Sequence, residues 1–289
     1  MLKTRGKKNR KPIIVIVLLI LGTFVFLSRP VLQRFLREQP RTVETPTPVP
    51  APDSKPQPEV KEPVEEPQAK IAVIIDDVGY PSFIIDDYRK FEGKLTFSVL
   101  PFQPESATYA QLLHHEGFEI MIHIPMEPEN YPDEDPGEGA LFVTDEKDEV
   151  ERKLKNMIEG TPHARGANNH MGSRATQNPE LMTYTLSYLQ QHGFYFVDSR
   201  TTHLSSAYEL SRQLHMRSAE RDVFLDNHDD FTYINEQFEK LKRIAKERGT
   251  AIGIGHIQNE NLLDVLNYQL EHLGNEGIEL VFASEALIN

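Results

Sequence analysis

Residues 70–289 alternate short, largely β-branched apolar runs with amphipathic stretches, and this alternation constrains the fold more than any other feature of the chain. The runs are IAVII from 71, LTFSV from 95, FEIMI from 118, ARGAN from 164, FYFV from 194, DVFL from 222, AIGIG from 251 and IELVF from 278. Between most of them lie helical patterns such as PESATYAQLLHHEG, DEKDEVERKLKNMIEG, NPELMTYTLSYLQQHG and FTYINEQFEKLKRIAKERG, each closed by a glycine that stops the helix. Sustained βα alternation predicts an α/β fold with a parallel sheet, either closed as a barrel or open and doubly wound.

Polar residues punctuate the ends of these runs. Asp76 and Asp77 follow the first, His123 the third, Asn168, Asn169 and His170 the fourth, Asp198 the fifth, Asp226 the sixth and His256 the seventh. In a parallel α/β fold all of these lie on one edge, where active sites of such folds are built. A single Asp or Asn at a strand end is ordinarily a cap or turn former; three histidines and a carboxylate pair on one edge are not. Two adjacent carboxylates repel each other unless solvent, a cation or a shared proton stabilises them. Imidazoles and carboxylate oxygens suit Zn²⁺ and related divalent ions, and an Asp with two His leaves positions open for water and substrate.

The chain contains no Cys, so disulfides, thiolate metal sites and a Cys nucleophile are excluded. Its formal net charge of -13 hides an asymmetry: residues 1–37 carry nine Lys or Arg and no acid, leaving 22 basic against 44 acidic residues in the remainder. A body that acidic excludes nucleic acid as a partner and favours a neutral or cationic substrate.

The N-terminal quarter differs from the rest. A basic segment (1–12) precedes an apolar run of 15 residues from Ile13 to Leu27. At 1.5 Å per residue the run reaches roughly 22 Å, short of the ~30 Å hydrocarbon core, which leaves signal peptide and membrane anchor both open. No small-residue cleavage site follows, and six positive charges before the run outnumber three soon after it. The expectation is therefore a signal-anchor over 13–28, with the N-terminus cytoplasmic and the body outside the cell membrane; secretion after cleavage is the alternative. Nine prolines between Glu38 and Ala69 predict a disordered tether over 29–69, ahead of a single domain at 70–289.

The segments IAVIIDDVGY, IHIPMEP, GANNHMGSRAT, FVDSRTT, RDVFLDN and IGIGH, in this order, resemble the divergent polysaccharide deacetylases, distant relatives of the metal-dependent carbohydrate esterases that remove N- or O-acetyl groups from cell-wall polymers. The likeness covers nearly all of residues 70–289. It implies an irregular (β/α) barrel of seven or eight mostly parallel strands, with one divalent metal, zinc in the first place, at the strand ends and an acetylated glycan as substrate. By that likeness Asp76 is the general base, Asp77, His123 and His170 are metal ligands, and His256 is the general acid. Asp198 stands where the relatives carry an acid that orients the catalytic histidine, and Arg174 is a candidate for orienting the base.

Two departures accompany the resemblance. The typical esterases have two metal histidines four residues apart, whereas here Glu127 stands at that spacing from His123; Ile257 and Gln258 follow His256 where a proline-containing turn is expected. The reaction implied is metal-assisted hydrolysis of an acetamide or ester, with Tyr80, Phe102 and Tyr131 on nearby loops available to stack on sugar rings. The rival readings are a non-catalytic glycan-binding or envelope scaffold module on the same barrel, and a metal phosphoesterase, which needs more ligands than the sequence offers.

Overall fold

The computed structural model describes residues 69–287. The expected basic segment, membrane segment and all of the tether but Ala69 lie outside the described residues; Ala69 is already the first residue of a strand. No helix among the described residues is long and apolar enough to cross a membrane.

Among the described residues nine strands pair only in parallel: β1 (Ala69–Val78), β2 (Thr96–Val99), β3 (Glu119–Met126), β4 (Ala164–Met171), β5 (Tyr195–Asp198), β6 (Ser218–Glu220), β7 (Val223–Phe224), β8 (Thr250–His256) and β9 (Ile278–Val281). Their order is β6-β5-β4-β3-β2-β1-β8-β7, and β9 lies beside β1. All eight apolar runs contribute a strand, so the expected count of seven or eight falls short by the polar β6, whose sequence SAE carries no apolar signal. β9 and β2 share one edge of β1, the first pairing with Ala69–Ala72 and the second from Ile74 onward.

The sheet curls into a half-barrel rather than closing by a continuous ladder. Its two ends, β6 and β7, are separated by only Arg221 and Asp222. The Arg221 amide donates to the Asp198 carbonyl and the next amide, Asp222, donates to Ile252, both at 2.9 Å, so one short stretch of chain bridges the β5 and β8 sides.

Helices α1 (Ile85–Tyr88), α2 (Ser106–His115), α3 (Lys147–Gly160), α4 (Pro179–Gln191), α5 (Ala207–Gln213), α6 (Phe231–Arg248) and α7 (Glu260–Leu273) connect the strands. Local chemistry sets their limits. Asn178 caps α4 by accepting from the amides of Glu180 and Leu181, with Pro179 at the first helical position. Asp230 caps α6 through the Tyr233 amide, and Gly249, at φ 84°, ends it in the left-handed conformation.

Strand alternation then sorts the side chains. On β1, Ile71, Val73 and Ile75 face the helices, whereas Ala72 and Ile74 belong to a core inside the curl with Met121, Tyr195, Val197, Ile252 and Ile254. The inner columns end in polar groups at the carboxyl edge: Ala72 and Ile74 lead to Asp76, Met121 to His123, Ile252 and Ile254 to His256. Two-residue periodicity thus carries the apolar interior directly into a polar mouth. The opposite end is closed by the turn Ala283–Glu285, whose Ala283 and Ser284 amides donate to Thr96 Oγ1 and Glu119 Oε1.

Candidate active site

Asp76 and Asp77 are consecutive, so in a regular strand they would face opposite sides of the sheet. They do not, because the β1–β2 register shifts between Ile75 and Val78 and Asp77 adopts φ 64°, a left-handed conformation that Asp tolerates better than most residues. The irregularity turns Asp77 into the same mouth that alternation already assigns to Asp76.

There Asp77 meets two imidazoles. Its Oδ1 lies 3.2 Å from His123 Nε2 and 3.0 Å from His170 Nδ1, and the two ring nitrogens are 3.1 Å apart. His123 Nε2 is also 3.6 Å from Asp76 Oδ2. Asp77 Oδ1 is buried and makes no hydrogen bond of good geometry. The donor set fits a divalent cation: one carboxylate oxygen and two imidazole nitrogens, all within 4.8 Å of one another, with lone pairs that repel unless positive charge sits among them. Contact with both histidines outweighs burial and holds the Asp77 carboxyl well below the usual carboxylate range. Burial pushes Asp76 the other way, only partly offset by His123, His256 and a hydrogen bond from Asn168. For His123 burial is outweighed by the charges of Asp76 and Asp77, which raise its pKa.

His256 occupies the end of β8, directly opposite Asp76 in the β1–β8 ladder. Its Nδ1 is 2.9 Å from Asp226 Oδ1, and its backbone amide donates to Asp226 Oδ2 at 2.7 Å. Although burial opposes the charged ring, the Asp226 hydrogen bond and charge, with Asp76 and Asp77 behind, raise its pKa to about 9. At neutral pH the ring is held in its charged form.

The acid that orients His256 is therefore Asp226 and not Asp198. Asp198 shares the outer parity of Phe196, whereas Tyr195 and Val197 point into the curl. Its carboxylate accepts from the Arg200 amide, the Ser205 hydroxyl and the Tyr208 amide, which ties down the loop after β5. Asp226 reaches His256 because β7 is the neighbour of β8 in the sheet. Arg174 likewise does not orient Asp76: its Nη1 donates to Glu127 Oε1 at 3.0 Å. Glu127, buried, also accepts from the Val143 amide at 2.8 Å, so it is committed away from the His–Asp cluster.

Two further residues stand in the site without a role assigned from the sequence, where Asn168 reads only as a polar strand end. Asn168 contacts both Asp76 and His123. Arg221, in the bridge between β6 and β7, donates to the carbonyls of Ser199 and Arg200 and lies 3.7 Å from the centre of the Phe224 ring, which in turn stacks on His256 at 5.9 Å. Burial lowers the Arg221 pKa to about 10. The RDVFLDN segment holds Arg221, Phe224 and Asp226 together, which is the signal a closer reading of that motif offers.

A cavity of about 220 Å³ opens beside Asp77, between the loop after β1 and the loop after β8, with Tyr80, Phe83, Ile257 and Gln258 in its walls. Phe83, at 78%, is the most exposed large hydrophobic side chain among the described residues, and Tyr80 is 52% exposed. The loop that carries them is anchored: the Ser82 amide donates to Tyr109 Oη at 3.1 Å and the Glu105 amide to the Gly79 carbonyl at 2.9 Å.

The sequence profile of the divergent polysaccharide deacetylases matches residues 73–287. The chain belongs to this family. It is 34% identical over 216 residues to an uncharacterized protein of Haemophilus influenzae, covering 74% of this chain and 75% of that one. It is 32% identical over 188 residues to the uncharacterized protein YibQ of Escherichia coli, covering 65% of this chain and 58% of that one. Among solved structures, an uncharacterized protein of Agrobacterium tumefaciens C58 superposes with a TM-score of 0.71 at 21% identity, over 76% of this chain and 90% of that one, a likeness of fold.

Proposed function

We propose that this protein is a metal-dependent hydrolase that removes acetyl groups from an amino-sugar polymer of the cell envelope. The observation that carries the reading is the placement of two proton-transfer groups of opposite character around one His–Asp cluster: the buried carboxylate of Asp76 and the imidazole of His256 held by Asp226. Asp77, His123 and His170 would hold a divalent ion, zinc in the first place. Such an ion supplies Lewis acidity, polarising the acetyl carbonyl and making water easier to deprotonate.

The protein's own groups move the protons. Asp76 takes one from the attacking water, and burial favours its protonated form, which makes it a stronger base than a solvated carboxylate. His256 delivers its proton to the departing nitrogen or oxygen. Amide hydrolysis requires that delivery, because an amine anion is a poor leaving group. The hydrogen bond to Asp226 fixes the ring and stabilises its charged form.

The anchored aromatics Tyr80 and Phe83 beside Asp77 support a glycan, whose sugar faces are apolar and whose edges are polar. The acidic balance of the body supports a neutral or amine-bearing polymer over an anionic one. The basic start and apolar run of the sequence support a membrane-anchored placement with residues 70–289 outside the cytoplasm. The test is acetate release from chitin and peptidoglycan oligomers by the full chain supplied with Zn²⁺, Co²⁺ or Mn²⁺. Metal-dependent release is expected. Background release with every metal, alongside measurable glycan binding, would replace the hydrolase by a glycan-binding module.

A further inference from the structure

We propose that Asn168 is a positioning residue that ties the base Asp76 to the metal ligand His123, one amide setting both the direction of the carboxylate and the tautomer of the imidazole. The inference rests on the hydrolase reading above and adds to it a residue that none of the implied catalytic roles includes.

Asn168 is fully buried at the mouth end of β4 and lies opposite His123 in the β3–β4 ladder, so backbone pairing sets their proximity. Its Oδ1 is 2.7 Å from His123 Nδ1 and accepts from Ser98 Oγ at 2.6 Å; its Nδ2 donates to Asp76 Oδ1 at 2.9 Å. The orientation of the amide follows from its partners. In the ionised form that serves as base, Asp76 only accepts, so the amino end faces Asp76 and the oxygen faces Ser98 and His123. Both lone pairs of that oxygen are then in use, and His123 Nδ1 must carry a hydrogen. A neutral His123 is thereby left with its lone pair on Nε2, the nitrogen aimed at Asp77 and His170.

No other side chain of similar size does both tasks. Aspartate would keep the acceptor for His123 but set a second carboxylate against Asp76. Leucine would leave the buried Nδ1–H and Asp76 without their partner. The residue therefore couples ligand geometry to base geometry, and substitution should separate the two effects.

The experiment uses metal-free protein labelled with ¹⁵N, recorded on the alkaline plateau of the His123 titration, together with Zn²⁺ titration calorimetry. Wild-type His123 should show the Nδ1–H tautomer; the Nε2–H tautomer in wild type would overturn the proposal without any variant. Asn168→Ala should lose the tautomer preference and bind Zn²⁺ about 10- to 100-fold more weakly, the range typical of groups that orient a ligand. Asn168→Asp should keep the Nδ1–H tautomer and bind Zn²⁺ within a few-fold of wild type, yet lose at least about 10²-fold in acetate release, in line with a misplaced base. Wild-type zinc affinity in Asn168→Ala, or wild-type turnover in Asn168→Asp, would each overturn it. If wild type itself releases no acetate, the hydrolase reading fails alone. The coupling is then judged on the His123 tautomer and on whether the Asn168 side-chain amide resonance moves in Asp76→Ala.

Discussion

Asp76 and His256 face each other as direct partners in the β1–β8 ladder, the base and the acid of the proposed reaction standing on neighbouring strands. Paired residues on adjacent strands are about 4.8 Å apart in the backbone and project to the same face. The Ile257 amide donates to the Asp76 carbonyl at 3.1 Å and continues that ladder past the end of β8. Their spacing is thus a property of the sheet and needs no mobile loop to bring them together.

Removing either proton-transfer group should therefore abolish turnover while leaving the cluster intact. Asp76→Asn and His256→Ala are each expected to lower kcat for acetate release by roughly 10²- to 10⁴-fold. Bound zinc, measured by elemental analysis, should stay near one per chain. Turnover within a factor of three of wild type in either variant would remove that residue from its role.

The proposed ligand set predicts the reverse pattern. His123→Ala and His170→Ala each delete one of three converging donors, so zinc affinity by calorimetry should fall by more than ~10-fold, with the far-ultraviolet circular dichroism unchanged. Unaltered affinity in both would place the ion elsewhere.

The Asp226–His256 pair predicts a pH dependence. Burial alone would lower the His256 pKa, but Asp226 and the carboxylates behind it raise it to about 9 in the metal-free protein. A folded pKa above the ordinary value of about 6.5 means that the pair stabilises the fold fully below pH ~6.5 and that this contribution is lost as pH rises through about 9. In Asp226→Asn the His256 resonances should titrate well below 9, with Asp76 and Asp77 left to oppose burial. The Tm gap between wild type and variant should be widest below pH 6.5 and should shrink toward pH 10. A variant ring still titrating near 9 would show that another group holds the proton.

Phe83 and Tyr80 should contribute to binding and not to chemistry. The cavity they wall, about 220 Å³, lies below the ~300 Å³ low end for drug-sized ligands, a size that suits one ring of the proposed glycan. Phe83→Ala is expected to raise KM for oligomers by roughly 2- to 12-fold, the worth of one stacking contact of ~0.5–1.5 kcal/mol, with kcat preserved and a small acetyl ester unaffected. An equal loss on the ester would mean that the ring supports the fold of the site and not the glycan.

Protease added to intact cells, or to spheroplasts where an outer membrane is present, should release a soluble fragment beginning between about Glu38 and Ala69. A fully protected domain would contradict the extracytoplasmic placement.

Eight of the nine described strands and most of the mouth are legible in the sequence, the polar β6 being the exception. Apolar runs of β-branched residues have few alternatives to buried strands, and βα alternation makes them parallel, which collects Asp76, His123, His170 and His256 on one edge however the sheet is ordered. Which polar residues meet depends instead on sheet order and side-chain parity. Asp198 and Asp226 both end strands, but parity turns Asp198 outward and sheet order sets β7 beside β8, so Asp226 alone reaches His256. In a run as uniformly apolar as FYFV, no sequence pattern says which face is the inner one. Arg174 and Glu127 lie 47 residues apart and find each other through the loops after β4 and β3. Asp77 points inward only because a register shift and a left-handed backbone override alternation, and such an irregularity is specified by the pairing of two strands rather than by either one.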